Sequence, residues 1–387
     1  MSLNLAPLDE TFYRRKVHQV QEGLAETELE GLLLLDMHNV IYASGFFHSP
    51  SERPIGFYIP ARGEPVLFVP LLEQENAADT WVGDIRTYFE YPGEEHPVLW
   101  MAREVSVERL GVDTFSYQLF EQFKQTSMTP ILTPLVERIR YIKEPEELAL
   151  VRQAAQYADF CLEVVLEQTA DIVRGGGTEL DILSACMAAT KTKMDRELGE
   201  AFGKVKNGVT GTVHTGARAA LPHGKPIARR PEPGGVLIAG IGASVGGYHA
   251  ESGATFVLGE PNAEQMRCLE AAAACDEAAV NALRPGATCT EVNEAALDVL
   301  KEAGLGEHIR HRIGHGMGVQ GHEAPWLAPG DLTRLRAGMV FSNEPGIYRP
   351  GVDGYRTINT MLVTEDEAEV VSEFLMCHPP KKRVIEL

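Results

Sequence analysis

A chain of 387 residues that is 44% hydrophobic and 23% charged can bury a sizeable core, and it is long for one small domain. With 35 Lys and Arg against 55 Asp and Glu, the formal net charge of −20 disfavours nucleic acid and anionic membrane surfaces as partners. The opening MSLNLAPLDETFYRRK has no basic start followed by an apolar run, and no stretch reaches the ~18 apolar residues of a membrane span, so a cytoplasmic protein is expected.

The apolar spacing over residues 11–29 predicts an amphipathic helix, and Leu32 to Leu35 a buried strand ended by Asp36. Ile41 to Phe47, Ile55 to Ile59 and Pro65 to Val69 read as further strands, the last two joined by a turn at Pro60-Ala61-Arg62-Gly63. A domain boundary is expected near Lys143-Glu144-Pro145, because Pro145 suits the first turn of a new helix. Leu148, Val151, Ala155, Ala158, Cys161 and Val165 give that helix one apolar stripe. A second helix follows Arg174-Gly175-Gly176-Gly177-Thr178, a turn that lacks the GK[ST] ending of a phosphate loop. From residue 200 onward, strands are expected at Val236 to Ile241, Thr255 to Leu258, Met339 to Ser342 and Met361 to Val363. A helical region at about 262–304, split by Arg284-Pro285-Gly286, lies between them. Cys161, Cys186, Cys268, Cys275, Cys289 and Cys377 form no CxxC pair and read as reduced thiols in or near the core.

Histidines and carboxylates cluster beside glycines in the second half. The clusters are Leu221-Pro222-His223-Gly224, Gly247-Tyr248-His249-Ala250-Glu251, Gly314-His315-Gly316-Met317-Gly318, Gly321-His322-Glu323-Ala324-Pro325 and Asn343-Glu344-Pro345-Gly346-Ile347-Tyr348. Flanking glycines let a neighbouring strand or ligand approach the imidazole closely. His322-Glu323 lacks the second His of an HExxH helix, and neither a GxSxG elbow nor a GxGxxG between a strand and a helix is present.

The order of these motifs, ending in Gly354-Tyr355-Arg356, resembles that of the creatinase, prolidase and aminopeptidase P family. The resemblance covers nearly the whole chain. It implies an α+β protein with a C-terminal pita-bread domain over 143–387, preceded by a smaller α/β creatinase-type domain over 1–142. It further implies a homodimer acting on a small-molecule or dipeptide substrate. The family's peptidases hold two divalent metals on an Asp, a second Asp eleven residues on, a His, a Glu and a final Glu. The matching positions here read Gly240, Glu251, His315, Glu344 and Ile358, so two of them offer no ligating side chain. The resemblance therefore implies either no metal or a single ion (Mn, Zn or Co) on Glu251, His315 and Glu344, with no dinuclear site. By the same matching, His223, His322, Glu251 and Glu344 would carry catalysis, while Arg356, Tyr248 and His214 would contact substrate.

Three readings stand at this point. The first is a hydrolase of Xaa-Pro dipeptidase type, cleaving a C–N bond with at most one metal. The second is a metal-independent C–N hydrolase of creatinase or ectoine hydrolase type, with His223 shuttling the proton and Glu251 or Glu344 as base or nucleophile. The third is a binding protein that has kept the fold and lost catalysis.

Overall fold

A computed structural model describes residues 5–126 and 128–387; the first four residues of the opening segment read above lie outside this range. The chain divides into two compact units, Pro7–Arg140 and Tyr141–Leu387.

The first unit is built on a six-stranded mixed sheet of β1 (Gly31–Leu34), β2 (Gly56–Pro60), β3 (Val66–Pro70), β4 (Asp84–Tyr88), β5 (Arg109–Val112) and β6 (Thr129–Leu132). Their order is β4-β3-β2-β1-β5-β6. The two pairs β1–β2 and β2–β3 are antiparallel, and the turn between β2 and β3 uses Gly63 at φ 108°, as the hairpin reading expects. The first helix spans Glu10–Ala25, capped by the Asp9 carboxylate on the Phe12 N–H, and buries Phe12, Val17, Val20 and Leu24. The strand expected at Ile41 to Phe47 is instead a helix, Met37–Ser44. Asp36 accepts from the His38 and Asn39 N–H groups at its start, and Gly45 closes it at φ 72°. These end signals override the β-propensity of Val40, Ile41 and Tyr42.

In the second unit, the helix Pro145–Arg174 opens with a capping box between Glu144 and Glu147 and packs on two long strands. These are β8 (Val236–Val245) and β9 (Tyr248–Leu258), flanked by β7 (Gly208–Thr215) and β17 (Val384–Ile385) in the order β17-β9-β8-β7. A five-stranded sheet has the order β11-β10-β12-β15-β16. Its strands are β10 (Gly314–Gly316), β11 (Glu323–Leu327), β12 (Val340–Asn343), β15 (Asn359–Val363) and β16 (Ala368–Val370). A short hairpin, β13 (Gly346–Arg349) with β14 (Asp353–Arg356), joins β12 to β15. The helices Ala263–Ala282 and Cys289–Glu302 share a core with Phe341, Tyr355, Met361 and Val363. Five cysteines are buried as expected, and the sixth, Cys377, is exposed.

The sheets meet where β9 runs beside β15. The Gly253 N–H donates to the Ile358 carbonyl at 3.0 Å, and the Ile358 N–H donates back to the Gly253 carbonyl at 2.9 Å. Two residues along, Thr360 Oγ1 accepts from the Glu251 N–H and donates to the Glu251 carbonyl, both at 2.8 Å. Strand alternation then puts Glu251 and Gly253 on one face of β9, and Thr360 of β15 on the same side as Ile358 just before that strand.

Candidate functional site

His315 lies on β10 directly opposite Ser342 on β12, which lies opposite Thr360 on β15. Cross-strand neighbours share a face, so this row of three looks toward Glu251. Ser342 Oγ donates to Glu251 Oε2 at 2.7 Å. His315 Nε2 stands 3.7 Å from Glu251 Oε2 and 3.6 Å from Glu344 Oε1. His322, at the start of β11, lays its ring on that of His315 with centroids 3.8 Å apart, and its Nε2 is 3.8 Å from Glu251 Oε1. The structure thus brings Glu251, His315, His322 and Glu344 together.

The protonation pattern follows from the contacts. His315 is fully buried, and its Nδ1 lies 3.0 Å from the Gly316 carbonyl, a bond it can make only as donor. Burial, opposed chiefly by the Glu344 carboxylate, pushes its pKa down to about 4. The ring is therefore neutral at pH 7, and its Nε2 carries a buried lone pair with no hydrogen-bond partner. Burial also raises the Glu251 carboxyl above the usual range, against the Ser342 hydroxyl, His322 and Arg356.

The space beside Gly240 is occupied. A Cβ there would stand 2.7 Å from Arg356 Nη2 and 3.3 Å from Ile358 Cδ1. Gly253, its cross-strand neighbour, faces Ile358 as closely, at 2.7 Å from Cδ1. Two glycines thus make room for one guanidinium and one isoleucine, both buried. Arg356 Nη1 donates to the Pro222 carbonyl at 3.2 Å, next to His223.

His223 itself is exposed, on the segment between β7 and β8. The hub of that segment is Glu179, a fully buried carboxylate at the start of the helix Glu179–Leu198. It accepts from the Thr215 N–H at 2.9 Å, Thr215 Oγ1 at 2.8 Å and the Ile227 N–H at 3.2 Å. Removing it leaves these donors unpaired, so Glu179→Ala is expected to cost about 3 kcal/mol in a denaturant titration and to speed amide exchange over 215–227. Unchanged exchange there would refute the hub.

Two of the residues matched to substrate contacts make hydrogen bonds inside the protein. Tyr248 is buried, and its hydroxyl donates to Glu147 Oε1 at 2.8 Å; His214 Nε2 is bonded to the Gly224 carbonyl. Sequence reasoning missed His311, whose Nε2 is 2.8 Å from the Tyr348 hydroxyl and whose titration feels Glu344, Arg356 and His223. Its only sequence signal is its position four residues before His315. Also missed was a clamp on the reverse face of β12 and β15. There Asp276 accepts from Asn343 Nδ2 at 2.6 Å and Asn359 Nδ2 at 2.7 Å, and burial raises its pKa to about 7.

The model of metallopeptidase family M24 matches residues 149–365, and that of the creatinase/prolidase N-terminal domain matches residues 16–142. An Xaa-Pro dipeptidase of Lactobacillus delbrueckii subsp. lactis is 30% identical over 360 residues, which cover 90% of this chain and 94% of that protein. Among solved structures, dipeptidase PepE from Mycobacterium ulcerans superposes with a TM-score of 0.84 at 26% identity, covering 98% of this chain and 100% of its own. The prolidase from Pyrococcus horikoshii OT3 gives 0.79 at 25% identity, covering 92% and 98%. No helix among the described residues is long and apolar enough to cross a membrane.

Proposed function

The chain belongs to metallopeptidase family M24, and on that premise we propose that it is a hydrolase of Xaa-Pro dipeptidase type that works with no more than one metal ion. The observation that carries this reading is the convergence of Glu251, His315, His322 and Glu344 around a buried, unpartnered imidazole nitrogen. That orphan fits a single ion. A pair does not fit, because Gly240 and Ile358 supply no ligand atom and Arg356 Nη2 stands 2.7 Å from where a Cβ at 240 would be.

When bound, a divalent ion here would polarise a carbonyl and acidify a water. The rest is done by the chain. Glu344, beside His315, would take a proton from the attacking water and return it to the departing nitrogen. His322, half exposed at the rim, borders the Glu251 carboxylate, its Nε2 3.8 Å from Oε1. Arg356 would receive a substrate carboxylate one residue beyond the scissile bond, a placement that a longer peptide lacks.

The test is turnover of an Xaa-Pro dipeptide by the purified protein, with and without added Mn²⁺, Zn²⁺ or Co²⁺. Hydrolysis is expected; none under any of these conditions would overturn the reading. Restoring the missing carboxylates checks the metal count independently. Gly240→Asp with Ile358→Glu is expected to raise bound metal to two ions per chain by elemental analysis. Arg356 Nη2 is the far end of a flexible side chain and can yield to the new carboxylate. An unmodified protein that already holds two ions would refute the count.

A further inference from the structure

We propose that His322 is a metal ligand, so that the single ion sits on His315 Nε2, His322 Nε2 and the Glu251 carboxylate, with the Arg356 guanidinium beside it as a fixed cation. This rests on the one-ion reading above and names its ligands, and it departs from the Glu251, His315 and Glu344 set implied by the sequence resemblance.

Among the described residues, Glu251, His315 and His322 each offer a ligand atom within 4.8 Å of the others. Glu344 approaches His315 but does not join this group. Ligand atoms about 2.0–2.1 Å from a tetrahedral ion lie ~3.4 Å apart. The two imidazole-to-carboxylate separations here, 3.7 and 3.8 Å, exceed that by only a few tenths of an ångström. Each carboxylate oxygen faces a different ring: Oε2 faces His315 and Oε1 faces His322.

The surroundings already hold His315 and Glu251 as a ligand set requires. The Gly316 carbonyl fixes the His315 tautomer that leaves Nε2 free to coordinate. Ser342 orients the Glu251 carboxylate, and Thr360 brackets its backbone. The His322 ring lies on that of His315, 3.8 Å away and 21° from parallel, so this half-exposed ring must swing off the stack to aim its Nε2 lone pair at an ion held by His315. Two imidazoles and a carboxylate are the donors of a catalytic zinc site with an open position, and they favour Zn²⁺ or Co²⁺ over Mn²⁺ or Mg²⁺.

The experiment titrates chelator-stripped protein with Co²⁺ and follows the visible d–d absorption, with Zn²⁺ stoichiometry by elemental analysis. One ion per chain is expected. His322→Phe keeps a ring on His315 but removes the nitrogen; it should weaken Co²⁺ binding ~100-fold or more and alter the band shape. His322→Ala should do the same, and circular dichroism checks that both variants are folded. Glu344→Gln should change affinity by less than ~10-fold. Unaltered binding in His322→Phe, or loss of binding in Glu344→Gln alone, overturns the assignment of His322 while leaving the one-ion reading intact. Two ions per unmodified chain overturn the one-ion reading. No uptake by the unmodified protein overturns the ligand set, and dipeptide turnover then decides the function separately.

Discussion

Glu251→Gln is expected to lower kcat/KM for an Xaa-Pro dipeptide at least ~1,000-fold, because it removes the one carboxylate from the proposed ion's ligand set. The carboxylate lies against His315, His322 and Ser342 at once, so a neutral amide disturbs every one of these contacts. Stability should hold, because burial already disfavours the charge at this position and Gln has nearly the same volume. Steady-state kinetics beside a thermal melt give the answer. Activity within a factor of ~2 of the unmodified protein would remove Glu251 from the mechanism and move the reading toward a binding protein.

Gly314→Ala is expected to have the largest effect on folding, on the order of 4 kcal/mol or outright failure to accumulate. A Cβ at 314 would stand 2.0 Å from the Ser342 carbonyl oxygen and 3.1 Å from its carbon. That obstacle is backbone, held in register between β10 and β12, and it cannot rotate away. Relief requires parting the two strands, one of which carries His315 while the other leads into Glu344. Gly208→Ala is the control: nothing there comes nearer than the Ser244 hydroxyl at 4.0 Å, so its denaturation midpoint should barely move. Equal midpoints for the two variants would show that the sheet absorbs the clash.

The glycine-flanked histidines were legible because glycine has a local meaning that survives without the fold: something comes close. For Gly240 and Gly314 the structure supplies the neighbour, a guanidinium in one case and a carbonyl in the other. Ile358 was equally plain, since hydrocarbon cannot ligate in any conformation. What stayed hidden depends on partners far away in sequence. Glu179 reads as an ordinary first-turn acid, and its partners at 215 and 227 lie 36 and 48 residues on. Asp276 belongs by spacing to a helix face, and only the reverse face of β12 and β15 turns it into a clamp. Tyr248 was assigned by motif position, which cannot say which way a side chain turns; its hydroxyl goes to Glu147. The Met37–Ser44 helix was misread because Val40, Ile41 and Tyr42 favour strands, while the decisive signals sit outside the run, at Asp36 and Gly45.

Arg356 beside Gly240 bears on how the protein responds to its chemical surroundings. A coordinated ion is on loan from solution, and a chelator or a metal-poor medium withdraws it. A guanidinium is part of the covalent chain and cannot be withdrawn. With that side chain against the Cβ position of Gly240, the pocket retains one positive centre however scarce metal becomes. An anionic ligand, such as the carboxylate of a dipeptide or of the released amino acid, would then meet the same partner in the stripped and the loaded protein. Chelation should accordingly separate two properties that fall together in a two-ion enzyme: turnover stops, while retention of carboxylate ligands persists.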